Sequence, residues 1–148
     1  MQLLQAQTNH IPHLLPLVTQ FYTHFNYSFD AQKHQNIIAQ FLSNPHYGII
    51  YLIADAGEYV GYIALTYGFT FEFGGRDAFI DEFYIAEKYR SKGLGKWVMH
   101  EIIQKMPDLG LCALHLQTEA YNERAKKLYI ATGFTDYKRS TLTYLWKI

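Results

Sequence analysis

One stretch limits the folds open to this chain more than any other: Ile80-Asp-Glu-Phe-Tyr-Ile-Ala-Glu-Lys-Tyr-Arg-Ser-Lys-Gly-Leu-Gly-Lys-Trp-Val-Met-His-Glu-Ile-Ile103, a strand, a glycine-bearing turn and a helix in immediate succession. Phe79 to Ile85 is aromatic and β-branched, as a strand requires, while Leu94, Val98, Ile102 and Met106 recur at helical spacing beside Trp97 and Ile103. Between them, Gly93 and Gly95 let the backbone turn tightly and approach a ligand closely. The first N–H groups of the helix, aided by its dipole, then suit the oxygens of a phosphate. Arg90, Lys92 and Lys96 add positive charge there, so the segment Arg90-Ser91-Lys92-Gly93-Leu94-Gly95-Lys96 is the candidate anion cradle.

Two familiar phosphate loops do not fit. A Walker loop needs glycine where Arg90 stands and serine or threonine where Trp97 stands. A dinucleotide fingerprint needs a third glycine at Val98 and repeated strand-helix units that the chain lacks. Arg90-x-x-Gly93-x-Gly95 after an apolar strand instead resembles the acyl-CoA pyrophosphate loop of the GNAT superfamily of N-acyltransferases. Downstream, Asn122-Glu-Arg-Ala125-Lys-Lys-Leu128-Tyr129-Ile-Ala-Thr-Gly133-Phe134 is similar to that superfamily's other signature, in the right order and at a fitting separation. The resemblance covers roughly the whole chain, with the first 45 residues the least diagnostic.

At 148 residues the chain has the size of one domain, residues 1–148, with enough length for a proper core. Its order of elements reads as follows. Gln2 to Gln7 forms a strand. Thr8 or Asn9 caps a helix reaching Phe25, in which Pro16 predicts a kink. Asp30 caps a second helix, Ala31 to Leu42. Tyr47 to Ala54 and Tyr59 to Thr70 form a hairpin around Asp55-Ala-Gly57-Glu58, and Gly74 to Asp77 turns the chain into the central strand. After the central helix come a loop at Pro107 to Gly110, a strand from Leu111 to Gln117, a helix from Asn122 to Thr132, and a final strand pair in Phe134 to Ile148 divided near Lys138 to Ser140. The sum is an α+β fold, GNAT-like by resemblance: a mixed, mostly antiparallel, twisted sheet of six to seven strands flanked by about four helices.

Acyl transfer from a thioester to an amine needs a neutral nucleophile, a stabilised carbonyl oxygen and a proton for the departing thiolate. Asp81 and Glu82 interrupt an otherwise apolar strand. Strand alternation allows one to be solvated and the other paired with a residue such as Arg76; alternatively the pair attracts a cationic amine and helps deprotonate it. The strand also resembles that of the spermidine/spermine N-acetyltransferase branch, where an acidic pair precedes two aromatic residues. The resemblance implies that Phe83 offers its N–H to the acetyl carbonyl, that Ile85 pairs with the pantetheine arm and that Tyr129 is the general acid, where the residues alone also allow Tyr129 to pack on the sheet. Asn122 caps its helix or contacts the coenzyme, and Lys126 approaches the 3′-phosphate. The aromatic run Phe21 to Phe29 either lines a pocket or packs the core; Tyr84, Tyr27 and Phe71 are the candidate walls for the amine.

Balanced charge, 13 basic against 13 acidic residues, excludes a general basic surface for nucleic acid. No apolar run approaches a membrane-spanning length or a leader, so a cytosolic location is expected. Seven histidines show no ligand spacing, and no metal is expected. Cys112, in an apolar run, reads as a buried structural thiol. The expectation is an acetyl-CoA-dependent N-acetyltransferase acting on a small, polyamine-like amine by direct attack, with a homodimer implied by the resemblance. A protein N-terminal or lysine acetyltransferase and a non-catalytic coenzyme A-binding module are the alternatives.

Overall fold

A computed structural model describes residues 1–146. The chain divides into two compact units, Met1–Gln117 and Thr118–Ile148. The first unit holds a five-stranded sheet in the order β1-β2-β3-β4-β5, formed by β1 (Gln2–Gln5), β2 (Gly48–Asp55), β3 (Glu58–Thr70), β4 (Gly75–Ile85) and β5 (Ala113–Leu116). The first four strands are antiparallel neighbours, and β5 joins β4 in parallel. This is the expected mixed, mostly antiparallel sheet, with fewer strands than expected: residues 134–146, read as two strands, carry no ladder, and 147–148 lie outside the described residues. Leu142, Tyr144 and Trp146 keep the alternation of a strand, yet all three are exposed. A pattern of period two makes a strand only where an edge pairs with it.

The helices α1 (Ile11–His24), α2 (Ala31–Leu42) and α3 (Leu94–Lys105) belong to the first unit and α4 (Glu123–Ala131) to the second. Helix α1 continues through Pro16, because Leu14, Leu17, Val18 and Phe21 form one buried face whose packing outweighs the lost backbone bond. Neither Thr8 nor Asn9 caps it. They lie in a short 3-10 turn whose capping box joins Gln7 and His10. Asp30 caps α2 as expected, accepting from the Lys33 N–H at 2.8 Å. One core cluster packs α1 and α2 against Ile50, Leu52, Tyr62, Ala64 and Tyr84 on a single face of the sheet.

The turn between β2 and β3 puts Ala56 and Gly57 at φ 49° and 84°, the two-residue hairpin turn that the sequence suggests. Cys112 is exposed, contrary to expectation: it precedes β5, where its run of apolar neighbours has not yet entered the sheet. Gly61 lets β3 cross close to the end of β4, since a Cβ there would lie 2.2 Å from the Tyr84 carbonyl oxygen. Gly61→Ala is therefore expected to destabilise the protein by about 2–3 kcal/mol, the range for overpacking against backbone that cannot yield. Urea unfolding checks this, and an unchanged midpoint would mean that the two strands separate freely.

Candidate functional site

The β3–β4 ladder changes register once. Leu65 pairs with Ile80 and Ala64 with Glu82, which leaves Asp81 as the extra residue of a bulge. The regular alternation assumed from sequence breaks at the acidic pair. Opposite Ala64, Glu82 joins the sheet face that carries Tyr62 and Tyr84, the face covered by α1 and α2, while Ile80 belongs with Leu65 on the other. β5 runs beside β4 only from Asp77 to Ile80, so the sheet opens beyond that point, along residues 81–85. The positions assigned to Phe83 and Ile85 lie on this open stretch. The Ile85 carbonyl already accepts from Arg90 Nε at 2.7 Å, and the Arg90 guanidinium lies 5.2 Å from the centre of the Tyr84 ring.

The chain then runs through a 3-10 turn to the candidate cradle. Ser91 and Gly93 have φ of 65° and 79°, two left-handed residues that swing the backbone to the start of α3. Gly93 is the N-cap of α3 and supplies no side-chain acceptor, so the first-turn N–H groups remain directed outward. Buried Leu94 anchors the turn, while Ser91, Lys92, Gly93 and Lys96 are exposed. This unites a helix N-terminus, a tight turn and two lysines, an arrangement suited to a pyrophosphate.

The acidic residues have different surroundings. Glu82 is half-buried and accepts from the Tyr62 hydroxyl at 2.7 Å. Burial raises its pKa, and the phenols of Tyr62 and Tyr22 partly offset that rise. Asp81 is exposed, yet the protein around it desolvates the carboxyl enough to raise its pKa, and it makes no hydrogen bond or ion pair among the described residues. Arg76 is not the partner of either: its guanidinium lies 3.8 Å from the Tyr67 ring centre and donates to the Leu109 carbonyl.

Of the predicted walls, Tyr27 lies 6.0 Å from the ring of Tyr22 and stacks on Phe25 at 5.5 Å. Tyr84 is 7% exposed, its hydroxyl donating to Gln20, so it forms part of the core under the site and not a wall of it. Phe71 is 95% exposed at the hairpin tip near Thr70 and Gly75, roughly 20 Å along the sheet from Glu82 at about 3.3 Å per residue. The structure does not bring it to the acidic pair. Tyr62, which was missed, is the direct hydrogen-bond partner of Glu82, and Tyr22, also missed, influences its charge from α1. Tyr22 lay inside the aromatic run already noted, whereas nothing in the strand sequence distinguishes Tyr62 from a core tyrosine.

In the second unit, Asn122 caps α4 by accepting from the Ala125 N–H at 3.1 Å. Lys126 pairs with Asp136 at 3.2 Å, which competes with a phosphate for the same ammonium. Tyr129 is half-buried, its ring edge-on to Phe134 at 5.6 Å, and burial pushes its phenol up to about 12. Among the described residues, no three His, Cys, Asp or Glu side chains cluster as metal ligands, and no helix is long and apolar enough to cross a membrane.

Residues 14–134 match the acetyltransferase (GNAT) family. The chain is 25% identical over 136 residues to the uncharacterized N-acetyltransferase YhfO of Bacillus subtilis, a match covering 92% of this chain and 91% of that one. It is 28% identical over 89 residues to the thialysine N-epsilon-acetyltransferase of Bos taurus, covering 57% of this chain and 52% of that one. Among solved structures, the integron cassette protein HFX_CASS3, from the mobile metagenome of Cole Harbour Salt Marsh, superposes with a TM-score of 0.87 at 31% identity over 99% of this chain and 91% of that one.

Proposed function

The chain belongs to the acetyltransferase (GNAT) family, and from that premise we propose that it moves an acetyl group from acetyl-CoA to a primary amine of a small cationic molecule. The observation that carries the choice of acceptor is the bulge in β4, which sets two desolvated carboxylates where the sheet opens. An ammonium is attracted by such a pair. The bovine relative, a thialysine N-epsilon-acetyltransferase, supports an amine borne by a small molecule. The family match crosses from the first unit into the second, which supports reading residues 1–148 as one transferase domain.

In this reading the pyrophosphate of acetyl-CoA lies on the cradle from Arg90 to Lys96, with Asn122 and Lys126 as further contacts. The open edge of β4 takes the pantetheine at Ile85 and the acetyl carbonyl at the N–H of Phe83. Asp81 removes a proton from the ammonium, and the freed nitrogen lone pair attacks the carbonyl carbon. As the C–N bond forms and the C–S bond breaks, Tyr129 protonates the departing sulfur. The second proton of the acylated nitrogen returns to the Tyr129 phenolate through water and Asp81 gives its proton to solvent, leaving a neutral amide, a free thiol and both side chains as they began. Asp81 is assigned the base because Glu82 already accepts from the Tyr62 phenol.

Asp81→Asn is then expected to lower kcat about 10²-fold, within the range for lost general-base catalysis, and to remove the acidic limb of the rate profile. That limb reflects activity lost as the pH falls through the raised Asp81 pKa. The same change is expected to raise Tm at neutral pH. A carboxyl whose folded pKa lies above its unfolded value favours folding only at low pH, and that contribution is lost as the pH rises through the folded pKa; asparagine avoids the loss. Release of free thiol from acetyl-CoA, followed across polyamines, amino acids, aminoglycosides and peptides, checks the assignment. Turnover with peptides alone would replace the small-amine reading with the protein-acetyltransferase one. Turnover with none would leave a coenzyme-binding module.

A further inference from the structure

The 3-10 turn Glu87–Tyr89, which delivers the chain to the cradle, is tied to the opposite hairpin. The Ala86 N–H donates to the Val60 carbonyl at 2.9 Å, which carries the β3–β4 pairing one step beyond Ile85. That step brings Tyr89 beside Glu58, the first residue of β3, and the Tyr89 hydroxyl donates to the Glu58 carboxylate. The ring of Tyr89 lies near two ammonium groups: Lys88 Nζ is 4.8 Å and Lys92 Nζ 5.8 Å from its centre, both within reach of a cation–π attraction. Their other contacts differ. Lys88 pairs with Glu58 at 3.5 Å, and the Tyr89 hydroxyl and Lys88 together hold that carboxyl below the usual carboxylate range. Lys92, a residue of the cradle, makes no hydrogen bond or ion pair among the described residues.

We propose, resting on the reading that acetyl-CoA lies on the cradle from Arg90 to Lys96, that Tyr89 is a positioning residue for its pyrophosphate: the hydroxyl, tethered to Glu58, fixes the ring, and the ring steadies the Lys92 ammonium. An exposed lysine samples many rotamers and loses that freedom when it grips an anion; one already held over an aromatic face loses less. Lys88 completes the arrangement by offsetting the charge of Glu58, which would otherwise oppose an anion close by. The consequence is a reversal of sign. By charge alone, removing a carboxylate near an anion site tightens anion binding, whereas here Glu58 assists the coenzyme from the opposite hairpin, and its loss weakens binding.

Calorimetric titration with coenzyme A, and with pantetheine, which lacks the pyrophosphate, tests this in Glu58→Ala, Glu58→Gln, Tyr89→Phe and the double variant Glu58→Ala/Tyr89→Phe. Glu58→Ala and Tyr89→Phe are each expected to raise the coenzyme A Kd about threefold, the size of one exposed cation–π contact. Both break the same tether, so the double variant is expected to be no weaker than either single one. Glu58→Gln keeps an acceptor for the phenol and is expected to recover most of the loss. Pantetheine should bind every variant as it binds the parent, and melting curves identify any variant that is not folded. Coenzyme A bound equally or more tightly by Glu58→Ala would overturn the proposal, as would additive losses in the double variant or a parallel loss for pantetheine. A parent that binds coenzyme A no more tightly than pantetheine would refute the cradle itself. A parent that prefers coenzyme A, with variants that all match it, would leave the cradle standing and remove the role of Tyr89.

Discussion

A Gly95→Glu protein is expected to fold and to bind acetyl-CoA at least about 10²-fold more weakly. Gly95 is the second residue of α3 and lies inside regular helix, so a side chain there costs no left-handed strain; replacing a helical glycine even adds up to about 1 kcal/mol of helix preference. Gly93, at φ 79°, would be a poorer test because any side chain there is strained. What glutamate changes is the anion site. The first turn of α3 has no side-chain cap, and a carboxylate within it takes up the outward N–H groups and repels a pyrophosphate at the same place. Calorimetric titration with coenzyme A, beside a melting curve for the variant, measures both quantities. Affinity within threefold of the parent in a folded variant would place the pyrophosphate elsewhere.

Tyr129→Phe is the second large effect. The ring stays edge-on to Phe134, so stability and coenzyme affinity should hold while kcat falls about 10²-fold. The burial of Tyr129 sharpens the mechanism beyond what the sequence implied. A phenol near 12 and a free thiol near 8.5 differ by about 3.5 units, so complete transfer to a free thiolate would run uphill by about 5 kcal/mol. In the proposed role the transfer is therefore favourable only when the proton still held by the acylated nitrogen replaces the one that the phenol gives up. It also follows that Tyr129 stays protonated through ordinary alkaline buffers, so a fall in rate below pH 10 would have to come from another group. Single-turnover rates separate chemistry from product release. A variant within twofold of the parent, with chemistry limiting, would make Tyr129 a packing residue.

The sequence was most legible where one residue pattern dictates one local geometry. The glycines after an apolar strand located the turn into α3, and Asp30 and Asn122 were readable as caps because a short acceptor side chain before a helix has few other uses. It was least legible where tertiary pairing decides. Alternation along β4 predicted opposite faces for Asp81 and Glu82, but a bulge is set by the partner strand and leaves no mark on its own residues. Phe71 and Tyr84 were chosen as walls for their chemistry alone, and register put one at the hairpin tip and the other in the core. Tyr62 is twenty residues from Glu82 in sequence and becomes its partner only once β3 pairs with β4.

The bulge also bears on how such a site arises and how it can be lost. Leu65–Ile80 and Ala64–Glu82 would be consecutive rungs of an ordinary antiparallel ladder if Asp81 were deleted rather than substituted. Ile80 would still belong to one face, Glu82 and Tyr84 to the other, and the Tyr62–Glu82 hydrogen bond would need no rearrangement. The base assigned to the reaction is thus a one-residue insertion into a strand that is complete without it. Deleting Asp81 is therefore expected to remove the proposed base while leaving the β3–β4 ladder continuous, so that a chain can differ from its neighbours in chemistry by a single codon without differing in its sheet.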